Sequence, residues 1–199
     1  MSLSFSELMR MVLRTLQNPR EGAAEVLALG IPREAHWLLV AVVVVLSSLL
    51  TEFFAVVAMM GSPASAMGQP SLVLTLAVHL GSIVMLIVLV QGIGRAMGGT
   101  GRVEETTVLM CWLQFVMMVV SVAQTLLILL MPPIAAVVLF AGVGILLWLL
   151  THFVAVLHGF RSLAGVFGMI LGTAFLIAVV LTILLQMAGV EFPMPEGAV

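Results

Sequence analysis

The chain predicts an all-α membrane bundle of five transmembrane helices preceded by short amphipathic N-terminal helices, and three observations predict it. Of its 199 residues, 63% are hydrophobic and 8% charged, against roughly a quarter charged in soluble domains. Five apolar stretches each supply the ~20 residues that cross ~30 Å of hydrocarbon. All seven basic residues are arginines, namely Arg10, Arg14, Arg20, Arg33, Arg95, Arg102 and Arg161. Five spans bring every one of them to the same face, as the positive-inside rule asks. With a mean hydropathy of +1.32, the chain would present far too much apolar surface to water, so the bilayer is its solvent.

The elements follow in chain order. Residues 4–17 spell an amphipathic helix: Phe5, Leu8, Met9, Val12 and Leu16 keep the three–four spacing, while Glu7, Arg10, Arg14 and Gln17 gather opposite. Such a helix lies along a membrane interface with Arg10 and Arg14 near anionic headgroups, or it docks a partner; the periodicity serves both. Asn18-Pro19-Arg20-Glu21 is a helix start, with Asn18 as cap, Pro19 at the first helical position and Glu21 placed for a capping box. That short helix ends near Leu29, before Gly30 and Pro32. The spans are expected at about 35–60, 71–96, 104–131, 133–159 and 163–188.

Their connections carry turn residues. Gly61, Pro63, Gly68 and Pro70 mark an uncharged loop after the first span. Gly98-Gly99-Thr100-Gly101-Arg102 forms a turn after the second, and Glu104 and Glu105 suit the positive dipole end of the third helix. Pro132-Pro133 makes a hairpin, although the nearly continuous run from 103 to 159 leaves a re-entrant segment open. Phe160-Arg161-Ser162 is a short return. The chain thus divides into a cytoplasmic amphipathic segment, 1–32, a five-span domain, 33–189, and an external tail, 190–199, holding Glu191, Pro193, Pro195 and Glu196 and no basic residue. An odd number of spans and the arginine pattern put the N-terminus in the cytoplasm and the C-terminus outside.

Charge and cysteine content narrow the function classes. A net charge of −2 with no basic stripe gives no case for nucleic acid. Cys111, the one cysteine, excludes an internal disulfide, and no metal-type cysteine spacing exists. Glu7, Arg10 and Arg14 interrupt any apolar run of the kind a cleavable signal peptide needs. No cofactor is implied.

Ionisable groups inside hydrocarbon are costly and therefore functional suspects. Glu52 lies eight residues from the outer end of the first span, ~12 Å deep, and His79 lies about eight residues into the second from the same side. A Glu52–His79 pair is therefore expected at one depth, able to exchange a proton or simply to bond two helices. Gln124 and Gln186 fall in the outer portions of their spans and can join it. A second polar set, Gln91, Glu104, Glu105, His152 and His158, lies toward the cytoplasmic half. His158 is expected at the interface, and His152, deeper, within reach of Gln91 or Gln114.

Catalytic patterns fail on spacing. His152 and His158 are six apart, whereas two ligands on one helix face stand three or four apart, and no HExxH occurs. Glu104-Glu105 invites comparison with the EExxxR of intramembrane prenyl-protein proteases, but Leu109 stands where the arginine belongs. Ser47, Ser48 and Ser121 lack a GxSxG context. The turn at 98–101 lacks the strand and lysine of a phosphate loop. No catalytic, cofactor-binding or metal-ligating set is assigned.

Small residues point to close helix packing. Ala164, Gly168 and Gly172 recur every four residues on the fifth span, with Gly165 beside them. Gly142 and Gly144 on the fourth span and Gly92 and Gly94 on the second offer complementary smooth surfaces. The stripe on the fifth span serves packing within the chain or a homodimer.

Several short motifs together resemble bacterial members of the Ypt-interacting-protein (Yip) family, over about residues 18–187. They are Asn18-Pro19-Arg20, the double glycine Gly98-Gly99 after the second span, Trp148, and His158-Gly159-Phe160-Arg161-Ser162 before the last span. A proline common within the family's third span is absent, with Gln114-Phe115-Val116 in that region, and the aspartate- and tyrosine-containing motifs of eukaryotic members are missing. The resemblance implies a five-span bundle with a cytoplasmic N-terminus. Eukaryotic relatives bind small prenylated GTPases in vesicle traffic, a role not carried over to a chain without those motifs. The expected function is a non-enzymatic adaptor or organiser of lipid or protein partners, with the N-terminal helices as contact surface. The alternatives are a small-solute or proton-coupled transporter or channel using Glu52, His79 and His152, and an intramembrane hydrolase.

Overall fold

A computed structural model describes residues 4–61 and 71–187, the side chains of 58–61 excepted. The expected loop residues Pro63, Gly68 and Pro70 and the tail 190–199 lie outside the described residues. Among those described, the chain forms seven α-helices and no strand: α1 (Phe5–Gln17), α2 (Pro19–Ala28), α3 (Arg33–Gly61), α4 (Leu72–Ala96), α5 (Val103–Leu130), α6 (Ala135–His158) and α7 (Leu163–Met187), with a 3₁₀ turn at Pro132–Ile134. The last five are long and apolar enough to cross a membrane. The chain is a multi-pass helical membrane protein. One compact unit ends at Arg161 and a second begins at Ser162.

Local chemistry starts α1. The Ser4 N–H donates to the Glu7 carboxylate at 2.7 Å and the Glu7 N–H to the Ser4 hydroxyl at 3.3 Å, a reciprocal cap. The buried stripe is Met11, Val12 and Thr15, with Leu8 half-buried beside it, while Phe5 is 76% exposed. That stripe addresses the protein, because α1 packs on α2 and the Trp112 indole of α5 donates to the Thr15 hydroxyl at 3.1 Å. A Cβ at Gly22 would overlap Thr15, so glycine sets how closely α1 and α2 cross.

The cap expected at Asn18 is only positional. Asn18 precedes Pro19 at the start of α2 but its side chain makes no capping bond. It also closes α1, its N–H donating to the Arg14 carbonyl at 2.7 Å. That double duty holds ψ at 85°, far from the extended value that aims a cap at the helix. Gly30, at φ +58°, ends α2 as its composition predicts.

α5 is the hub of the first unit, packing against α2, α3, α4 and α6. Its buried face, Thr106, Leu109, Met110, Leu113, Val116 and Val120, runs at helical spacing over nearly its whole length. Val40, Val43, Ser47 and Ser48 of α3, Ile83, Ile87 and Val90 of α4, and Leu149, Phe153 and Leu157 of α6 complete the core. Trp37, Val73, Leu130 and Phe140 are exposed, as suits an apolar solvent. The possible re-entrant segment resolves into two helices of 28 and 24 residues, each long enough to span, joined at the proline turn. In the second unit, the Ser162 hydroxyl accepts the Gly165 N–H at 3.1 Å at the start of α7, whose helical repeat lines Ala164, Gly168 and Gly172 on one face.

Candidate functional site

The densest polar site lies where α4 ends, α5 begins and α6 ends. His158 is buried to 2% exposure. Its Nε2–H donates to the Val90 carbonyl at 3.1 Å, and its Nδ1 accepts the Gly101 N–H at 3.3 Å. These partners assign a neutral ring with the proton on Nε2. A Cβ at Gly94, Gly99 or Gly101 would collide with His158 or, at Gly101, with the adjacent Leu157 as well. Gly98, at φ +85°, and Gly159, at φ +71°, supply the left-handed backbone that brings the two turns together. Beside them Gln91 donates to the Gly101 carbonyl at 2.9 Å and accepts the Thr106 hydroxyl at 2.5 Å. His158, the last residue of α6, is thus a buried latch between helices. Its place at a helix end hid this, because the 98–101 turn folds over it.

The second site lies between α3 and α4. The Thr75 hydroxyl donates to Glu52 at 2.9 Å, and His79 Nδ1 donates to the Thr75 carbonyl at 2.9 Å with the Ser48 hydroxyl 3.4 Å away. Glu52 and His79 therefore share Thr75, and neither enters an ion pair among the described residues. The expected direct pair is corrected to a bridged cluster. Glu52 faces Thr75 while Ser48 faces His79, so His79 sits one turn, ~6 Å, deeper than Glu52. Counting equal steps from the loop missed that offset. A cavity of about 100 Å³ adjoins His79 and is lined also by Ser47, Ser82 and Gln114, whose amide lies 3.4 Å from the Ser47 hydroxyl.

A third, charged site surrounds the first turn of α3. Arg33 bonds Glu104 at 2.5 Å, and Arg102 bonds Glu105 at 3.2 Å. His36, 9% exposed, donates through Nε2 to the Ile31 carbonyl at 3.2 Å. Sequence reasoning passed over His36; its position in the first turn of a span is the signal that was there to find.

The motif residues Gly98-Gly99 and His158-Gly159 meet in the latch, although about sixty residues separate them. The family model described as the Yip1 domain matches residues 13–189. The chain belongs to the Yip1 family. No curated protein and no solved structure matches it. Within this Yip1 domain the match begins inside α1, so α2 and all five spans belong to it.

The remaining residues of the Yip1 domain fall elsewhere. His152 meets neither Gln91 nor Gln114: its Nδ1 donates to the Trp148 carbonyl at 2.7 Å within α6, its ring edge-on to Trp148. Gln124 donates to the Val138 carbonyl at 2.5 Å, joining α5 to α6 rather than the Glu52 cluster. A Cβ at Gly142 would overlap Gln124, so Gly142 and Gly94 make room for polar side chains where smooth helix surfaces were expected. Arg14 pairs with Glu25 of α2 at 3.1 Å, and Arg10 reaches the Ser6 carbonyl at 3.4 Å; both are exposed. Cys111 is buried. Among the described residues no three His, Cys, Asp or Glu side chains are grouped as a metal site needs.

Proposed function

We propose that this Yip1-family protein is a non-enzymatic membrane adaptor or organiser, with a cytoplasmic N-terminus and an external C-terminus in a bacterial inner membrane. The observation that carries this reading is the platform made by α1 and α2. It is fixed to the bundle through Thr15 and Trp112, yet it exposes Phe5, Arg10, Leu13 and Arg14. Apolar and basic side chains together suit a membrane surface or an amphipathic partner. The interior agrees: α3 to α6 run unbroken, and among the described residues every buried side-chain nitrogen or oxygen has a hydrogen-bond partner. The Ala164, Gly168 and Gly172 face of α7 supports a homodimer contact as part of the same role.

The alternative, a small-solute or proton-coupled transporter or channel, draws on the cavity beside His79. Glu52 and His152 do not line it, which leaves one of its three residues at the cavity. Reconstitution in liposomes containing a pH-sensitive dye separates the two readings. The adaptor reading expects proton flux equal to that of empty liposomes, and a photo-crosslinker at Leu13 capturing a discrete partner in cells. Flux that is lost on His79→Ala overturns it.

A further inference from the structure

Three cavities meet around the first turn of α3. A charged cleft of about 140 Å³ is lined by Ile31, Arg33, His36, Arg102, Glu104 and Glu105. On one side of α3 it shares Arg33, His36 and Glu104 with a groove of about 400 Å³, walled by Trp37, Val40, Val84, Val88 and Thr107. On the other side it shares Val26, Ile31 and Val108 with a groove of about 310 Å³, walled by Met11, Leu39, Leu46, Trp112 and Phe115. Both grooves fall within the ~300–1,000 Å³ of ordinary small-molecule sites.

We propose that this branched cavity seats one diacyl glycerophospholipid with an amine-bearing zwitterionic headgroup, which straddles α3 with its head in the cleft and one acyl chain in each groove. Charge complementarity selects the head. The cleft holds two arginines and two glutamates, whose charges cancel and give no excess to favour an anionic lipid. Its guanidinium and carboxylate groups stand side by side as Arg33–Glu104 and Arg102–Glu105, matching a phosphate next to an ammonium. A primary ammonium donates hydrogen bonds to Glu104, which a quaternary ammonium cannot do. The branching selects two chains, because one polar cleft opens onto two apolar grooves. Trp37, 74% exposed at the lip of the larger groove, is the residue type that sits at headgroup level. The site goes beyond the adaptor reading and does not depend on what the α1–α2 platform binds.

The test uses the full chain in detergent, stripped of lipid and offered equal phosphatidylethanolamine, phosphatidylcholine and phosphatidylglycerol with identical acyl chains. Native mass spectrometry is expected to show one phosphatidylethanolamine per chain, retained about tenfold over the other two, as one charge-assisted hydrogen bond provides. Glu104→Gln is expected to remove that preference. Val88→Trp, at an exposed groove position, is expected to lower every adduct while helicity and melting stay unchanged. In single-tryptophan variants, one equivalent of phosphatidylethanolamine brominated on both chains should quench Trp37 and Trp112 saturably and spare Trp148. Absence of an adduct, equal adducts for the three headgroups, full binding by Val88→Trp, or quenching of only one of the two groove tryptophans overturns the proposal.

Discussion

His158 divides its two ring nitrogens between α4 and the turn before α5, so one side chain ties three elements. Truncation to alanine leaves the buried Gly101 N–H without its acceptor and opens a void, which should cost ~1–3 kcal/mol in a denaturation series. Gly94→Ala drives a methyl into the same ring and should cost ~1–3 kcal/mol by overpacking. Combining the two should cost less than their sum, because the alanine occupies the room the imidazole vacates. Glu52→Gln is expected to leave melting unchanged, since an amide oxygen accepts the Thr75 hydroxyl as a carboxylate does; a large loss would show that the charge itself matters. The sequence located Glu52 within the first apolar stretch and His158 at the end of the fourth, but not whom they meet. Depth is a one-dimensional count, and neither the one-turn offset between α3 and α4 nor the fold of the 98–101 turn over His158 is contained in it.

At the scale of elements, composition was a good guide because helices in hydrocarbon must satisfy their own backbones over a fixed thickness. The observed spans depart from the expected limits mainly at their ends, as with α6, which starts at Ala135 after a 3₁₀ turn. Side-chain caps were less legible: Asn18 has the right identity, but its backbone belongs also to α1. The cap of α1 carries a pH dependence. Hydrogen bonds from the Ser4 backbone N–H, then from its hydroxyl, hold the Glu7 carboxyl below the usual carboxylate range. A carboxylate lowered in the folded state contributes fully above its unfolded pKa, and the contribution fades as pH falls through the lowered folded value. Protection factors of the first-turn amides of α1 should therefore fall on acidification in that window, and Glu7→Gln, which removes the titrating carboxyl, should abolish that pH dependence.

For the molecule as a whole, the arginine pattern anticipated which helix ends keep company. Arg33–Glu104 joins the starts of α3 and α5, Gln91 joins the end of α4 to the start of α5, and His158 joins the end of α6 to both. The polar braces thus concentrate at the end where the arginines lie. At the opposite end the described cross-links are fewer, chiefly Thr75 to Glu52 and Gln124 to the Val138 carbonyl. Paired spin labels should report narrow distance distributions between the exposed positions Met97 and Arg161, and broader ones between Leu74 and Leu129. Equal widths would show that the braces do not govern stiffness. A sheaf braced near one end should bend most at the other, which makes the latch around His158 the expected fulcrum and the charged cleft beside α3 the region expected to move least.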